Sequence, residues 1–300
     1  MATKKTVIII AGPTAVGKTS VAIEVAKHFQ TKIISADSRQ CYKELNIGVA
    51  RPSEIELKEV THYFIASHSI HEKITASTFE KYALEKANQI FANNDVAVMV
   101  GGTGLYIKAF CEGMDEIPET PEVIRNEIAN QYRQNGMNWL QNEVKKLDQK
   151  FYEVGEVKNP QRLMRALEVF KSTGRSILDY RKGEKSERDF SVIKIALQLP
   201  KEKLHRNIES RVDKMMEMGL LEEVRSLIPY QHLNALQTVG YKELFDYFNG
   251  EIDLHAAIAL IKRNTKQYAK RQMTWFKKDT GNHWLPGDAS NVLEWLQNVQ

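Results

Sequence analysis

Thr6-Val-Ile-Ile-Ile-Ala11-Gly12-Pro-Thr-Ala-Val-Gly17-Lys18-Thr19 is the stretch that decides the fold. Its first six residues form a continuous, mostly β-branched apolar run, the pattern of a parallel strand covered on both faces. The next eight match the phosphate-loop pattern G-x-x-x-x-G-K-[ST] at every fixed position. A helical pattern follows at once, Ser20 to Phe29, with apolar positions at Val21, Val25 and Phe29. Strand, glycine loop and helix in that order are what the motif requires. The glycines let successive backbone N–H groups converge on phosphate oxygens, and the helix N-terminus adds a favourable dipole. Gly12, Pro13, Thr14, Ala15, Val16, Gly17, Lys18 and Thr19 are therefore the candidate phosphate-binding residues. Lys18 supplies a point charge, and Thr19 offers a hydroxyl to Mg²⁺. The motif alone identifies a phosphate or pyrophosphate, and not the reaction.

Outward from this loop, two more short runs read as buried strands, Lys32-Ile-Ile-Ser35 and Val96-Ala-Val-Met-Val100, with a helix predicted over Thr78 to Asn93 between them. Such alternation marks β-α-β units. After Gly113 the texture changes: Pro118 and Pro121 punctuate, and amphipathic helical patterns run to about Lys182 without a convincing strand. Val192-Ile-Lys-Ile-Ala-Leu-Gln-Leu199 restores strand character, with Pro200 closing it, and a long helix is expected from about Leu254 to Phe276. The expected fold is α/β: a P-loop NTPase-like parallel sheet core over residues 1–113 and 190–300, with a helical insertion domain over 114–189. The sequence shows no internal repeat and no low-complexity tract.

The chain has 300 residues, 42% hydrophobic and 27% charged, which is ordinary globular composition and excludes a disordered tail, a coiled coil or a collagen. At this length roughly 75% of the unfolded surface can be buried, so neither disulfides nor metal are needed for a core. Cys41 and Cys111 are the only cysteines, too few for a four-cysteine metal site or a secreted disulfide framework. The eight histidines show no metal-ligand spacing. Met1-Ala-Thr-Lys-Lys5 precedes an apolar run too short for a signal segment, and no later run approaches the ~18 residues of a membrane span. A soluble, cytoplasmic chain is expected. Its 42 basic against 38 acidic residues, net +4, permit a polyanionic partner without demanding one.

An ordinary NTPase carries an acidic metal ligand at the end of a second hydrophobic strand. Val96 to Val100 runs instead into Gly101-Gly102-Thr103-Gly104, with no carboxylate. The first acid at a comparable strand end is Asp37, in Ile33-Ile-Ser-Ala-Asp37-Ser38-Arg39-Gln40.

At this point six blocks stand in order: Gly12 to Thr19, Asp37 to Gln40 with Tyr42, Val100 to Tyr106, Asn159 to Glu168, Thr238-Val-Gly240-Tyr241, and Lys270-Arg-Gln-Met-Thr-Trp275. With them the chain resembles the tRNA dimethylallyltransferases, also called tRNA isopentenyltransferases, over nearly its whole length. Lacking a cysteine/histidine finger after the core, it is similar to the shorter bacterial form. The resemblance implies transfer of a five-carbon group from dimethylallyl diphosphate to the exocyclic N6 amine of the adenine immediately 3′ of the anticodon, with the phosphate loop holding the pyrophosphate leaving group. An adenine amine is a poor nucleophile, its lone pair being conjugated into the ring, so it needs a group that orients it and accepts its proton. Asp37 is the carboxylate beside the phosphate loop; by sequence alone it could also be a helix N-cap or a Mg²⁺ ligand, and the resemblance favours the general base.

The same resemblance places Thr19, Thr103 and Arg211 with Asp37 at the reacting centre, Arg211 against the leaving group. Without it, Arg211 reads as a solvated helix residue and Thr103 equally as a simple turn residue. Against the tRNA anticodon stem-loop it implies Asp37, Ser38, Arg39, Gln40, Thr103, Arg125, Gln161, Arg162, Leu163, Met164, Arg165 and Gly240. A solvated basic helix face is the alternative for Gln161 to Arg165. Between Leu254 and Lys278 stand seven lysines and arginines with no acid. Lys262, Lys266 and Lys270 recur at i, i+4 and i+8, a stripe suited to backbone phosphates, while Ile258, Ile261, Tyr268 and Met273 are candidates for packing. Tyr241 and Trp275 are read as core residues. A monomer is expected. Rival readings are a small-molecule kinase, an adenylate isopentenyltransferase and a non-catalytic RNA-binding module. The kinase does not explain the missing strand-end carboxylate, the second has little use for Gln161 to Arg165, and the module has none for the P-loop and Asp37 together.

Overall fold

The computed structural model describes residues 5–299. Met1 to Lys4, read above with the start of the chain for a signal segment, and Gln300 lie outside the described residues. Elements follow in the order β1 (Thr6–Ala11), α1 (Lys18–His28), β2 (Ile33–Ser35), α2 (Glu54–Glu59), β3 (His62–Tyr63), α3 (Ala76–Phe91), β4 (Val96–Gly101), α4 (Gly104–Glu112), α5 (Glu122–Leu147), α6 (Gln149–Val154), α7 (Pro160–Thr173), β5 (Ser191–Gln198), α8 (Lys201–Glu217), α9 (Leu220–Ser226), α10 (Tyr241–Phe248), α11 (Leu254–Lys277), β6 (Asn282–Pro286) and α12 (Ala289–Val299). Two compact units result, Met1–Cys111 with Glu187–Gln300, and Glu112–Ser186.

The first unit is built on one six-stranded sheet in the order β3-β2-β4-β1-β5-β6, every pair parallel. β1 is central, Thr6 standing opposite Val96 on one side and Ser191 on the other. Its alternate side chains divide between two cores. Val7 and Ile9 pack with Phe79, Phe110 and Tyr241, and Ile8 and Ile10 with Val21, Val25, Val292 and Leu296. A strand covered on both faces has no polar side to show, which is why its sequence is unbroken Val-Ile-Ile-Ile. No helix among the described residues is long and apolar enough to cross a membrane.

Two strands were not visible as periodic runs. β3 has two residues, and β6, Asn-His-Trp-Leu-Pro, lacks a β-branched run; both are edge strands that exist through pairing to β2 and β5. The remaining boundaries shift little: the helix expected at Thr78 begins at Ala76, where Thr75 accepts the N–H of Thr78 as an N-cap.

The second unit is helical. α7 starts where Asn159 accepts the N–H of Arg162 with Pro160 in the first turn, and stops at left-handed Gly174, an N-terminal proline and C-terminal glycine in their usual places. Gly136 breaks α5 internally at φ +70°. Ile128, Leu140, Val144, Phe151, Leu163 and Leu167 form its core. Buried Asp148 is satisfied by the N–H of Phe151 at 3.0 Å and the hydroxyl of Ser176 at 2.9 Å.

Candidate active site

In the sheet order β2, β4 and β1 are neighbours, so the segments leaving their carboxyl ends meet: Asp37 beyond β2, the Gly101–Gly104 turn at β4, and Gly12–Thr19 after β1. This carboxyl edge is where open α/β sheets bind ligands.

Gly12 is at φ +143°, and a Cβ there would lie 2.8 Å from the carbonyl oxygen of Leu197, so the loop can pass β5 only as glycine. Gly17 takes φ +100° to start α1. Two residues of α8, one turn apart, reach this loop: Asn207 donates to the carbonyl of Ala15 at 3.1 Å, and Arg211 to the Thr14 hydroxyl at 3.3 Å. Lys18 donates to the Pro13 carbonyl at 2.7 Å. Burial and then the positive Arg211 push the Lys18 ammonium down to about 7, against the pull of Asp37. Burial likewise lowers Arg211, and Asp37 again opposes. Two cations held together in a partly desolvated loop, with one carboxylate nearby, form a site that favours a multiply charged anion.

The other two segments are packed too closely for side chains. A Cβ on Gly101 would fall 2.2 Å from the Ala36 carbonyl oxygen. Thr103 accepts the N–H of Ser38 at 3.1 Å, and its own N–H donates to the carbonyl of Ala36 at 3.2 Å. Asp37 Oδ1 accepts the N–H groups of Arg39, at 2.9 Å, and Gln40, at 3.3 Å. Oδ2 has no protein hydrogen bond among the described residues. Asp37 thus caps a turn with one oxygen and has the other to offer. Tyr268, on α11, stands beside Thr103, and burial, then the charge of Asp37, push its phenol up to about 12.

Asp37, Thr14 to Ser20, Arg211 and Tyr268 line one cavity of about 780 Å³. Lys203 and Lys214 of α8 add positive charge, while Glu56 and Asp37 are its acids. Among the described residues no group of three or more His, Cys, Asp or Glu is placed to hold a metal ion.

Sequence reasoning missed several contributors. Gln272 accepts the N–H of Thr14 at 2.8 Å and donates to the Gly102 carbonyl at 3.0 Å, tying the phosphate loop to the second glycine turn. Tyr268, Gln272 and Trp275 recur on one face of α11 against Thr103, Gly102 and Gly104. The available signal was a polar residue, Gln272, on an otherwise apolar face. Asn207, one turn before Arg211, carried no such signal, since its helix neighbours Lys203, Ser210, Arg211 and Lys214 are polar or charged.

Several sequence readings need correction. Arg211 is no solvated residue, since it is mostly buried in the cavity wall. Gln40 lines the cavity, and its amide is bonded within the protein: it donates to the carbonyls of Val49 and Ala50 at 3.2 and 2.9 Å and accepts from Ser35. Arg39 donates to the Asn234 carbonyl at 3.0 Å. Leu163 is 0% exposed, a core residue whose side chain has no surface to offer RNA, and Met164 packs on the same core. Arg125 and Arg165 flank the buried carboxylate of Glu168, at 3.6 and 3.3 Å, and Arg165 also donates to Thr120, whereas Gln161 and Arg162 are exposed. Gly240 is buried, and its φ of +97° serves the turn into α10. Lys262 and Lys266 are paired with Asp213 and Glu209 of α8, each at 2.5 Å, because the acids absent from α11 are supplied by its neighbour. Tyr241 is in the core, but Trp275 is 39% exposed.

The IPP transferase family model matches residues 40–279. The chain belongs to the IPP transferase family. A tRNA dimethylallyltransferase of Christiangramia forsetii is 46% identical, over 97% of this chain and 97% of its own, and one of Cytophaga hutchinsonii is 42% identical, over 98% and 97%. Among solved structures, the full-length tRNA isopentenylpyrophosphate transferase of Bacillus halodurans superposes with a TM-score of 0.72 at 31% identity, over 99% of this chain and 95% of that one. A eukaryotic dimethylallyltransferase acting on tRNA gives 0.78 at 24% identity, over 97% and 75%, which establishes the shared fold. As an IPP transferase family member the chain is an enzyme, a prenyltransferase. The IPP transferase assignment excludes the kinase and the non-catalytic module.

Proposed function

We propose that this enzyme modifies tRNA by moving a dimethylallyl group from dimethylallyl diphosphate to the N6 amine of the adenine immediately 3′ of the anticodon. The observation that carries the reading is the joint placement of Lys18, Arg211 and Asp37 on one cavity, close enough that each cation's ionisation responds to the acid. As the carbon–oxygen bond to the diphosphate breaks, charge grows on the leaving oxygens, where Lys18, Arg211 and the phosphate-loop N–H groups stand. The carbon–nitrogen bond forms on the opposite side, and the proton of the amine passes to Oδ2 of Asp37. Thr103, hydrogen-bonded to Ser38, holds the turn next to that carboxylate.

Mg²⁺ takes one or two protein oxygens and completes its shell with waters and substrate phosphates. Thr19, in the first turn of α1 on the cavity wall, fits as such a donor. Bound there, the ion would neutralise charge on the departing diphosphate. The target base must leave its stack, which costs a few kcal/mol and is easiest in a loop. Mass spectrometry of tRNA nucleosides after incubation with dimethylallyl diphosphate and Mg²⁺ tests both substrates at once. Prenylated adenosine should appear only when enzyme, donor and tRNA are together; its absence, with all three present, rejects the proposal.

A further inference from the structure

Besides the phosphate loop and single residues at the ends of β4 and β5, Val100 and Leu199, two segments bring apolar side chains to the cavity wall. One is the loop 46–52, with Ile47 and Val49; the other is the end of α8, with Met215, and Met218 just beyond it. A single carboxylate joins them. Glu223 of α9 accepts the N–H groups of Asn46 and Ile47 on Oε2, at 3.2 and 2.7 Å. Its Oε1 accepts the N–H of Gly48 at 3.0 Å and the hydroxyl of Tyr241 at 2.6 Å. Three successive N–H groups make a concave anion-binding turn, and an ionised acceptor makes each bond stronger than a neutral one would. From below, the buried ring of Tyr241 presses on the same turn: a Cβ on Gly48 would lie 2.6 Å from it. α9 begins at Leu220, separated from Met218 only by left-handed Gly219.

Glu223 therefore fixes the loop bearing Ile47 and Val49 to the helix that continues directly from Met215 and Met218. We propose that Glu223 is a positioning residue that sets the alkyl length the cavity accepts, by holding these two apolar walls at a fixed separation. The inference rests on the donor's being an alkyl diphosphate, as proposed above. Gln40, bonded to Val49 and Ala50, keeps the far end of the loop attached, so loss of Glu223 opens the turn at 46–48 and not the whole wall.

The test is equilibrium binding, without tRNA or turnover, of inorganic diphosphate, dimethylallyl diphosphate and geranyl diphosphate to the wild type and to Glu223→Gln, Glu223→Ala and Gly48→Ala. Selection by chain length in an apolar pocket is worth about 10-fold or more per group accommodated. Glu223→Ala should shift the affinity ratio roughly 10-fold toward the ten-carbon ligand while inorganic diphosphate binds as before, with Glu223→Gln intermediate. Gly48→Ala, which displaces the turn from the Tyr241 side, should shift it in the same direction. Amide hydrogen exchange should speed up at 46–48 and stay unchanged across Gly12 to Thr19. An unchanged ratio, or equal weakening of all three ligands, overturns the inference. If the wild type bound inorganic diphosphate but neither alkyl diphosphate, the donor reading itself would fall and take this one with it.

Discussion

The backbone N–H of Thr14 donates to Oε1 of Gln272 at 2.8 Å across 258 positions of sequence. Because the other end of the same amide donates to the Gly102 carbonyl, one side chain spans the phosphate loop and the glycine turn that supports Asp37 through Thr103. Gln272→Ala should leave both backbone groups without their partner, at about 1–3 kcal/mol for each buried group left unpaired, and should weaken diphosphate binding along with stability. A Cβ on Gly102 would meet Nε2 of Gln272 at 2.1 Å, the far end of a flexible chain, so Gly102→Ala should expel the amide and mimic the first variant. A double-mutant cycle on diphosphate affinity checks this: the two effects should be strongly non-additive, and simple additivity would mean that Gln272 bridges nothing in solution.

Asp37→Asn should keep the turn, because an amide oxygen still accepts the N–H groups of Arg39 and Gln40. What it removes is the proton acceptor. Turnover should fall by roughly 10²–10⁴ with melting temperature and tRNA affinity near wild type. Single-turnover kinetics with preformed enzyme–tRNA complex isolates the chemical step; a rate near wild type there would assign the proton to another group.

Lys18 gives a pH dependence whose sign can be worked out. Its folded value, about 7, lies below the 10.5 ordinary for a lysine, which the unfolded chain would show. Between those values the unfolded state binds more protons, so this group makes stability rise with pH through that window. Burial and then Arg211 depress the ammonium; a bound diphosphate sets negative charge directly against it and favours its protonated form, so binding near pH 8 takes up a proton and affinity should fall as pH rises. Calorimetry in two buffers of different ionisation enthalpy measures that uptake. Arg211→Ala should reduce it, because one cause of the depression has gone, while weakening the diphosphate complex.

These residues also show what the sequence could and could not disclose. The phosphate loop was legible because strand, loop and helix are local and each carries its own period or motif. Asp37 was legible because it follows a short buried strand at the right edge. Leu163 was misassigned because a motif read as a block does not say which of its positions face inward, and α7 turns Leu163 to the core while leaving Gln161 and Arg162 outside. Gln272, Asn207 and Glu223 were hidden for the opposite reason. Their partners are main-chain N–H and carbonyl groups far away in sequence, and no letter of the sequence marks these.

The lysine stripe of α11 shows how a neighbouring helix changes a local electrostatic argument. Lys262 and Lys266 already carry counter-charges from Asp213 and Glu209, whereas Lys270, next on the same face, is exposed and has no ion-pair partner among the described residues. Each lysine that neutralises a tRNA phosphate releases counterions and contributes up to about 0.7–0.9 to the slope of log affinity against log salt, and a lysine paired within the protein contributes less. Lys270→Ala should therefore flatten the slope more than Lys262→Ala or Lys266→Ala. Lys266→Ala should act mainly on α8, where Glu209 stands two residues from Arg211, and only weakly, because the carboxylate of the pair is exposed to solvent. Salt titrations of tRNA binding with the three single variants decide between these roles. Equal losses of slope would mean that both ion pairs open when tRNA binds and that the whole stripe meets phosphate; no loss at Lys270 would leave the exposed Gln161 and Arg162 of α7 as the candidates for that contact.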